Sequence, residues 1–510
     1  MIYRILCSLF LACLTLSGQA ADVPSIIPVP VSYRPVAGTF VLTDETPVVA
    51  AEPSFSRVAE YLRNRLLAET GIRAARSGSR PGITLKRGGT GRSSYELTVS
   101  PQGTVISAPD EEGAFYGAVS FLQLADGKRT VAGWNIQDKP AWEWRGFMLD
   151  ESRHFFGKAV VKRLLEQMAY YKLNRFHWHL TDEPGWRIEI NQYPRLTLLG
   201  GVGNMSDSLA PARYYTQEDI REIVAFAAER HIVVIPEIDM PGHATAANKA
   251  YPAYSGGGSE KHPEFTFNPG KEETYGYLSN ILKEVDVLFP SGMVHIGGDE
   301  VSFGNDKWLK DPSISRLMTK NGYKTALDVE HYFLRRMADT LRKRNVRLLA
   351  WDEVTQAGLS PENTLVFWWR HDQPAQLQAA LEKKYPVVLC PRLPFYYDFV
   401  QDSTHVSGRK WGGRFNPLQE VYAFSPAAYG SPDLIKGIQA NLWTETVATA
   451  ERLEFMTFPR LVAMAEAAWS REKNYPSFMQ RLPVHLQRFR RQGVRYFDPF
   501  RPAQSPEPLR

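Results

Sequence analysis

Eight short apolar runs recur between residues 141 and 443, each the length of a buried strand. Runs that are bounded by turn residues and rich in β-branched and aromatic side chains are typical of strands covered on both faces. We therefore predict eight strands of a parallel sheet, at residues 144–149, 174–180, 232–238, 293–296, 346–351, 365–369, 387–390 and 438–443.

Helical patterns separate these runs. Apolar side chains in residues 158–171 recur on one stripe, at Val160, Val161, Leu164, Leu165 and Met168. Strands that alternate with helices eight times indicate a (β/α)8 barrel, or TIM barrel, with insertions in some βα loops. The further predicted helices are 217–229, 272–288, 326–343 and 374–382, and 454–469 closes the ring.

The segment before the barrel has a mixed pattern. Residues 95–99 and 104–107 alternate as strands do, while 55–70 and 112–124 have helical spacing. The sequence Asp-Lys-Pro at 138–140 marks a boundary, because proline disfavours helix in the residue before it. We predict a small α+β domain over residues 22–139 and the barrel domain over residues 140–510.

Residues 1–21 have the pattern of a signal peptide. Arg4 precedes an apolar stretch at 5–16, and Ser-Gly-Gln-Ala at 17–20 offers a small-residue cleavage site. The stretch is too short to span a bilayer, and lipid attachment at Cys13 is an alternative to plain cleavage. Both readings predict export to a periplasm or cell surface. Cys390 would then be the single cysteine of the mature chain, so we expect no internal disulfide.

Composition narrows the classes of partner. The 510 residues include 60 basic and 55 acidic side chains, for a net charge of +5, without a long run of either sign. This balance favours neither nucleic acid nor an anionic membrane as a partner. The 12 tryptophans are the unusual feature, and their large apolar faces suit sugar rings.

Acids and tryptophans gather at the predicted strand ends. In a barrel of this type the carboxyl ends of the strands carry the active site. Acids beside aromatic rings suit cleavage of a glycosidic bond, which needs a proton donor and stabilisation of positive charge. The residues concerned are Asp150, His179, Asp182, Glu237, Asp239, Asp299, Glu300, Trp351, Asp352, Glu353, Trp368, Trp369, Trp443 and Glu445.

The segment 294–300, Val-His-Ile-Gly-Gly-Asp-Glu, carries the most specific signal. It resembles the His-x-Gly-Gly-Asp-Glu signature of family 20 glycoside hydrolases, the β-N-acetylhexosaminidases. Further motifs of that family are matched in the same order, at residues 113–117, 144–154, 174–187, 235–243, 351–353 and 441–445. The resemblance implies removal of terminal β-linked GlcNAc or GalNAc from glycans, without a cofactor or metal.

The resemblance also implies a mechanism in which the substrate supplies the nucleophile. The 2-acetamido oxygen attacks the anomeric carbon and forms an oxazolinium intermediate. Glu300 would protonate the leaving oxygen and then deprotonate water, while Asp299 would hold the acetamido group. Glu300 must stay protonated near neutral pH, so we expect its surroundings to raise its pKa. His243, Asp182 and His295 are the expected supporting residues.

The same match assigns residues to the sugar itself. Tyr396 would bind the acetamido oxygen, although the adjacent Tyr397 leaves this register open by one residue. Loops at 255–259 and 408–414 would border the pocket. The hydroxyls are assigned to Arg145, Asp398 and Glu445, and the aromatic cup to Trp351, Trp369 and Trp443.

Alternatives to an exo-acting hexosaminidase stay open at this point. A lacto-N-biosidase-like enzyme would release a disaccharide and need a wider pocket. A non-catalytic glycan-binding protein on the same barrel would have no use for a proton donor beside a positioning acid. GlcNAc against GalNAc, the natural glycan and the oligomeric state are equally open.

Overall fold

The computed structural model describes residues 23–410 and 413–508. The predicted signal peptide and Cys13 lie outside these residues, and export stays a prediction. Within the described ranges, no helix combines the length and the apolar character needed to cross a bilayer.

A six-stranded mixed sheet and two helices form the first domain. The helices Ser56–Thr70 and Glu111–Ala125 pack against the sheet and against each other. Asp110 caps the second helix by accepting a hydrogen bond from the Gly113 N–H. The α+β prediction is confirmed, and the strands in sheet order are Ser32–Val41, Thr130–Asp138, Tyr95–Ser100, Gly103–Ala108, Ile83–Arg87 and Val48–Ala50.

Eight parallel strands close into a barrel, which confirms the predicted fold class. The eighth strand pairs with the first, Gly437 opposite Trp144 and Leu442 opposite Leu149, so that no sheet edge is left. In chain order the barrel strands are Trp144–Asp150, Arg175–His179, Val233–Glu237, Met293–His295, Arg347–Trp351, Thr364–Trp368, Val387–Leu389 and Ile435–Leu442.

The outer ring follows the predicted helices except at its end. The predicted helix 454–469 is two helices, Ala450–Thr457 and Arg460–Trp469, because the intervening Pro459 has no N–H to continue the ladder. A last helix, Tyr475–Arg491, was not predicted. The predicted helices that are confirmed are Lys158–Tyr170, Gln217–Ala228, Glu272–Leu288, Ala326–Arg342 and Pro374–Glu382. The connecting segments add helices that were not predicted, at Arg195–Leu198, Thr245–Ala250, Pro312–Asn321, Arg392–Phe395 and Leu418–Ala423.

Large apolar side chains fill the barrel interior. Because side chains alternate along a strand, Trp144 and Met148 of the first strand point inward. Cys390, directly after the strand Val387–Leu389, is fully buried in the same cluster. At the carboxyl end of the barrel this cluster reaches Trp351 and Trp443, which line a pocket.

Candidate active site

The signature segment leaves its strand in an irregular conformation. Gly297, Gly298 and Glu300 all have positive φ, at 66°, 89° and 50°. A Cβ at Gly297 would lie 1.8 Å from Asp239 Oδ1, so only glycine fits there. A non-glycine residue with positive φ, such as Glu300, is uncommon, and such conformations cluster at functional sites. The strict alternation of a strand does not apply here, so adjacent acids can face one pocket.

Asp299 and Glu300 share one imidazole. His243 Nε2 lies 3.7 Å from Asp299 Oδ2 and 3.6 Å from Glu300 Oε2. Its other ring nitrogen, Nδ1, lies 3.0 Å from Asp182 Oδ1. The predicted supporting roles of His243 and Asp182 therefore match their positions, directly behind the two acids.

The pKa values of the two acids differ from the prediction. Burial and the neighbouring Asp239 carboxylate raise the pKa of Asp299 well above its usual range. Burial also acts to raise the pKa of Glu300, but the His243 imidazole 3.6 Å away outweighs it and lowers that pKa. The expected raised pKa at Glu300 is therefore wrong in this structure, because a cationic neighbour stabilises its ionised form. The two shifts favour the protonated form of Asp299 and the ionised form of Glu300.

Aromatic rings form the walls of the pocket, each held by a hydrogen bond or a neighbouring ring. Trp351 Nε1 donates to Glu237 Oε1 at 2.9 Å, and Trp369 Nε1 donates to Glu353 Oε2 at 3.1 Å. The Trp369 ring is parallel to that of Tyr396, with centroids 6.2 Å apart. The predicted aromatic residues thus meet around one space.

The tyrosine register is resolved by position. Tyr396 lines the pocket, while Tyr397 is fully buried and its hydroxyl donates to the Arg460 carbonyl at 3.0 Å. The next residue of the motif, Asp398, lies behind the pocket wall with its Oδ2 2.5 Å from Arg409 Nε. Burial raises the pKa of Asp398 to about 7.

The prediction for Arg145 is wrong. Arg145 is the second residue of its strand, so it lies at the amino end of the barrel, opposite the pocket. Its guanidinium donates to the carbonyls of Lys172 and Trp142 at 2.8 Å each and to the Tyr116 hydroxyl at 2.6 Å. It is a structural contact between the barrel and the first domain.

Arg153 occupies the place predicted for Arg145. It follows the carboxyl end of the same strand, and its guanidinium lies 2.7 Å from Asp182 Oδ2 and 5.1 Å from the centroid of the Trp443 ring. The sequence contained the signal, since Arg153 lies in the same matched motif. The two arginines are distinguished by their position, because Arg145 lies near the amino end of the strand and Arg153 follows its carboxyl end.

A second arginine in the pocket comes from the predicted border loop. Arg409 lies between Asp398 and Glu445, with Nη2 2.5 Å from Glu445 Oε1. The cavity has a volume of about 80 Å³ and is also lined by Arg153 and Arg392. Of the predicted residues it is lined by Asp182, His243, Asp299, Glu300, Trp351, Trp369, Tyr396, Trp443 and Glu445.

His295 lies one layer below the pocket. It is fully buried, with Nδ1 3.0 Å from Glu237 Oε1 and its ring 4.7 Å from that of Trp351. His177 and His179 are fully buried beside the same glutamate. The Glu237 carboxylate lies within 3.0 Å of all three rings, and His295 Nδ1 also accepts the Gly297 N–H at 3.1 Å.

Two family models together match nearly the whole described chain. The model for "Glycosyl hydrolase family 20, domain 2" matches residues 23–139, and that for "Glycosyl hydrolase family 20, catalytic domain" matches residues 142–472. A β-hexosaminidase of Porphyromonas gingivalis is 34% identical over 93% of this chain, which spans 64% of that relative's length. A β-hexosaminidase of Akkermansia muciniphila is 32% identical, with 89% of this chain and 94% of the relative covered.

Solved structures show the same likeness. An exo β-N-acetylglucosaminidase from Vibrio harveyi, in complex with N-acetylglucosamine, superposes with a TM-score of 0.87 at 33% identity, covering 94% of this chain and 79% of that one. The β-N-acetylhexosaminidase from Streptomyces coelicolor has a TM-score of 0.82 at 29% identity, with 96% and 99% covered. The chain belongs to glycosyl hydrolase family 20, with that family's domain 2 followed by its catalytic domain.

Proposed function

We propose that this glycoside hydrolase is an exo-acting, retaining β-N-acetylhexosaminidase that removes terminal β-linked GlcNAc or GalNAc by substrate-assisted catalysis. The observation that carries the proposal is the arrangement of Asp299 and Glu300, two adjacent acids at one imidazole in an aromatic pocket. Retaining enzymes that use a protein nucleophile place two carboxylates on either side of the bond, about 5–5.5 Å apart. Two adjacent acids in front of one histidine fit a nucleophile that comes from the substrate.

Buried polar atoms at the pocket support a sugar ligand. Asp299 Oδ1 and Glu445 Oε2 are buried without a hydrogen-bond partner among the residues the structure describes. A buried oxygen that stays unpaired costs about 1–3 kcal/mol, so a native site of this kind calls for a donor. The acetamido N–H would satisfy Asp299, and a ring hydroxyl would satisfy Glu445.

The aromatic lining of the pocket supports a bound sugar ring. The cavity of about 80 Å³ is far below the roughly 300–1,000 Å³ of ordinary ligand pockets, so a sugar of any size requires the Arg409 side chain to move aside. Trp443 beside Trp351, with ring centroids 5.9 Å apart, supplies an apolar face for one ring.

Substrate binding would move the proton within the acid pair. The acetamido N–H donates to Asp299 and favours its ionised form, and the charge that develops on the oxazolinium nitrogen strengthens this effect. The proton released from Asp299 then serves Glu300, with His243 Nε2 lying between the two carboxyls. Glu300 protonates the leaving oxygen and later deprotonates the water that opens the intermediate.

Release of a chromogenic aglycone from β-GlcNAc and β-GalNAc tests the proposal. We expect turnover of both, loss of about 10²–10⁴-fold in kcat in Glu300→Gln, a comparable loss in Asp299→Asn, and inhibition by a thiazoline analogue of the intermediate. Glu330→Gln is the matched control, because Glu330 is a buried acid on the helix Ala326–Arg342 that does not line the pocket. A folded wild-type protein that turns over neither sugar, but cleaves a lacto-N-biose substrate, would replace the proposal with the disaccharide-releasing reading.

A further inference from the structure

Behind the acid pair, carboxylates and imidazoles alternate toward the centre of the barrel. Glu300 Oε2 faces His243, and His243 Nδ1 lies 3.0 Å from Asp182 Oδ1. Asp182 Oδ2 is 3.0 Å from His179 Nε2, and His179 Nδ1 is 2.6 Å from Glu237 Oε2. This series therefore continues three residues deeper than His243, through the buried side chains of Asp182, His179 and Glu237.

His179 is charged because of what its two nitrogens face. Carboxylate oxygens only accept, so a ring with a carboxylate at each nitrogen carries a proton on both. The paired carboxylates of Glu237 and Asp182 outweigh burial and raise the pKa of His179 well above its usual range.

His177, two residues earlier on the same strand, is the contrasting case. Its Nδ1 accepts from the Gln439 amide at 3.0 Å, so only Nε2 faces Glu237. Burial lowers the pKa of His177 to about 4, which leaves the ring neutral at working pH.

Glu237 connects this chain to the pocket wall. One of its oxygens is 2.6 Å from His179, and the other accepts the Trp351 indole N–H at 2.9 Å. Trp351 lines the pocket, so one buried carboxylate holds both the chain behind Glu300 and one wall of the sugar site.

We propose that His179 and Glu237 are positioning residues for this reaction: His179, as a buried cation between Asp182 and Glu237, helps set where the proton of the acid pair lies, and Glu237 also fixes Trp351. This inference rests on the proposed function, since it assigns the chain a part in the same proton transfer. Neither residue lines the pocket, so both act through their neighbours.

Substitution of His179 or Glu237 changes the buried charge, and the sign of that change predicts the direction in which the pKa of Glu300 shifts. The titratable and charged groups around His179 belong to several elements: Asp150 and Arg153 from the first strand and its loop, His177 and Asp182 from the second, Glu237 and Asp239 from the third, and His295 from the fourth. His179→Gln removes a positive charge from this set, which makes ionised Glu300 less favourable. Glu237→Gln removes a negative charge and has the opposite effect.

The pH dependence of kcat/KM for an aryl β-GlcNAc tests the inference. The basic limb reports loss of the essential acid in the free enzyme. We expect this limb to move to higher pH in His179→Gln and to lower pH in Glu237→Gln, each by on the order of half a unit to one unit. His177→Gln, the neutral control at the same glutamate, is expected to leave the limb in place. KM should rise in Glu237→Gln, because an amide cannot accept from both Trp351 and His179.

Opposite shifts distinguish a role in proton placement from a loss of packing, which would lower activity without moving the limb. If Glu237→Gln fails to fold, the inference is tested by comparing the basic limb of His179→Gln with that of His177→Gln. An active wild type in which both histidine variants keep the wild-type profile overturns the inference and leaves the proposed function intact. An inactive wild type speaks against the proposed function instead.

A second readout does not depend on turnover. Nitrogen resonances of labelled histidine should show His179 protonated at both ring nitrogens at pH 7 and His177 at one, with assignments from the two single variants. A singly protonated His179 at that pH contradicts the charged position on which the inference depends.

Discussion

Arg153 makes both an ion pair with Asp182 and a cation–π contact with Trp443. Its guanidinium binds Asp182 at 2.7 Å and lies over Trp443, which is the geometry for presenting remaining N–H groups to a sugar bound on that ring. Arginine suits this task because its planar fork donates several hydrogen bonds in fixed directions. The side chain therefore ties the sugar site to the acid chain behind it.

Substitution of the two arginines of the first barrel strand region should separate binding from stability. Arg153→Lys loses the fork, and we expect KM for an aryl β-GlcNAc to rise about 10-fold or more, since a charged hydrogen bond contributes roughly 1.5–3 kcal/mol. Arg145→Lys should leave KM unchanged and lower the unfolding temperature, because three of its hydrogen-bond acceptors are buried at the domain contact. Steady-state kinetics and thermal unfolding of both variants measure this. An increase of KM in Arg145→Lys would contradict the assignment.

Arg145 and Arg153 also show which features of the site can be predicted from the sequence and which cannot. The acids and tryptophans follow from the strand ends, since position along a parallel barrel strand decides which end a side chain occupies. Tyr396 follows from the family resemblance instead. The direction of the Glu300 pKa did not follow, because it depends on a histidine from another loop that approaches to 3.6 Å. Distances between residues far apart in the chain are set by packing and are not encoded in a local pattern.

At the scale of elements, the loop that carries Arg409 places a guanidinium between Asp398 and Glu445, the two acids proposed to bind sugar hydroxyls. The loop is tied at its base, where the Arg409 N–H donates to the Asp398 carbonyl at 3.0 Å and the Val400 N–H to the Arg409 carbonyl at 3.3 Å. The Arg409 side chain then bridges Asp398 and Glu445. A sugar that uses these carboxylates has to displace the guanidinium.

Removal of this side chain should strengthen substrate binding. In Arg409→Ala the two carboxylates no longer hold a competing cation, so the form of the pocket that can bind a sugar becomes more populated. We therefore expect KM to fall about 3–10-fold with little change in kcat. Lys410→Ala is the control, because Lys410 lies next in the same loop and donates to the Ser403 carbonyl instead. Calorimetric titration with GlcNAc gives the same comparison without turnover. A higher KM in Arg409→Ala would show that the guanidinium binds the sugar rather than competing with it.

The elements themselves were largely predictable, with differences at their ends. Buried strands flanked by helices give long, strongly periodic signals, and the eight predicted strands all exist. The apolar stripe does not predict the break at Pro459, because it continues across the proline into Arg460–Trp469. The path of the 400–410 loop had no periodic signal, so only its position near the pocket could be predicted.

At the scale of the whole molecule, a buried ion pair joins the two domains. Asp138, the last residue of a strand in the first domain, lies 3.1 Å from Lys172 Nζ in the barrel, and both side chains are fully buried. The Tyr95 hydroxyl and the Trp469 indole also donate to this carboxylate, at 2.7 and 2.9 Å. Every acceptor of Asp138 is thus satisfied by a residue from one domain or the other, which fixes the sheet on the amino end of the barrel.

Breaking this pair should destabilise the whole chain without touching catalysis. Asp138→Asn leaves the Lys172 ammonium buried beside an amide, and removing one partner of a buried pair costs about 3–5 kcal/mol. Lys172→Met should cost a similar amount, and the double variant less than the sum, because no uncompensated charge remains. Urea unfolding followed by tryptophan fluorescence measures the three values, and kcat/KM of the folded variants should equal that of the wild type. Additive losses in the double variant would show that the two side chains stabilise their own domains separately, and the first domain would then be a neighbour of the barrel rather than a part of its folding unit.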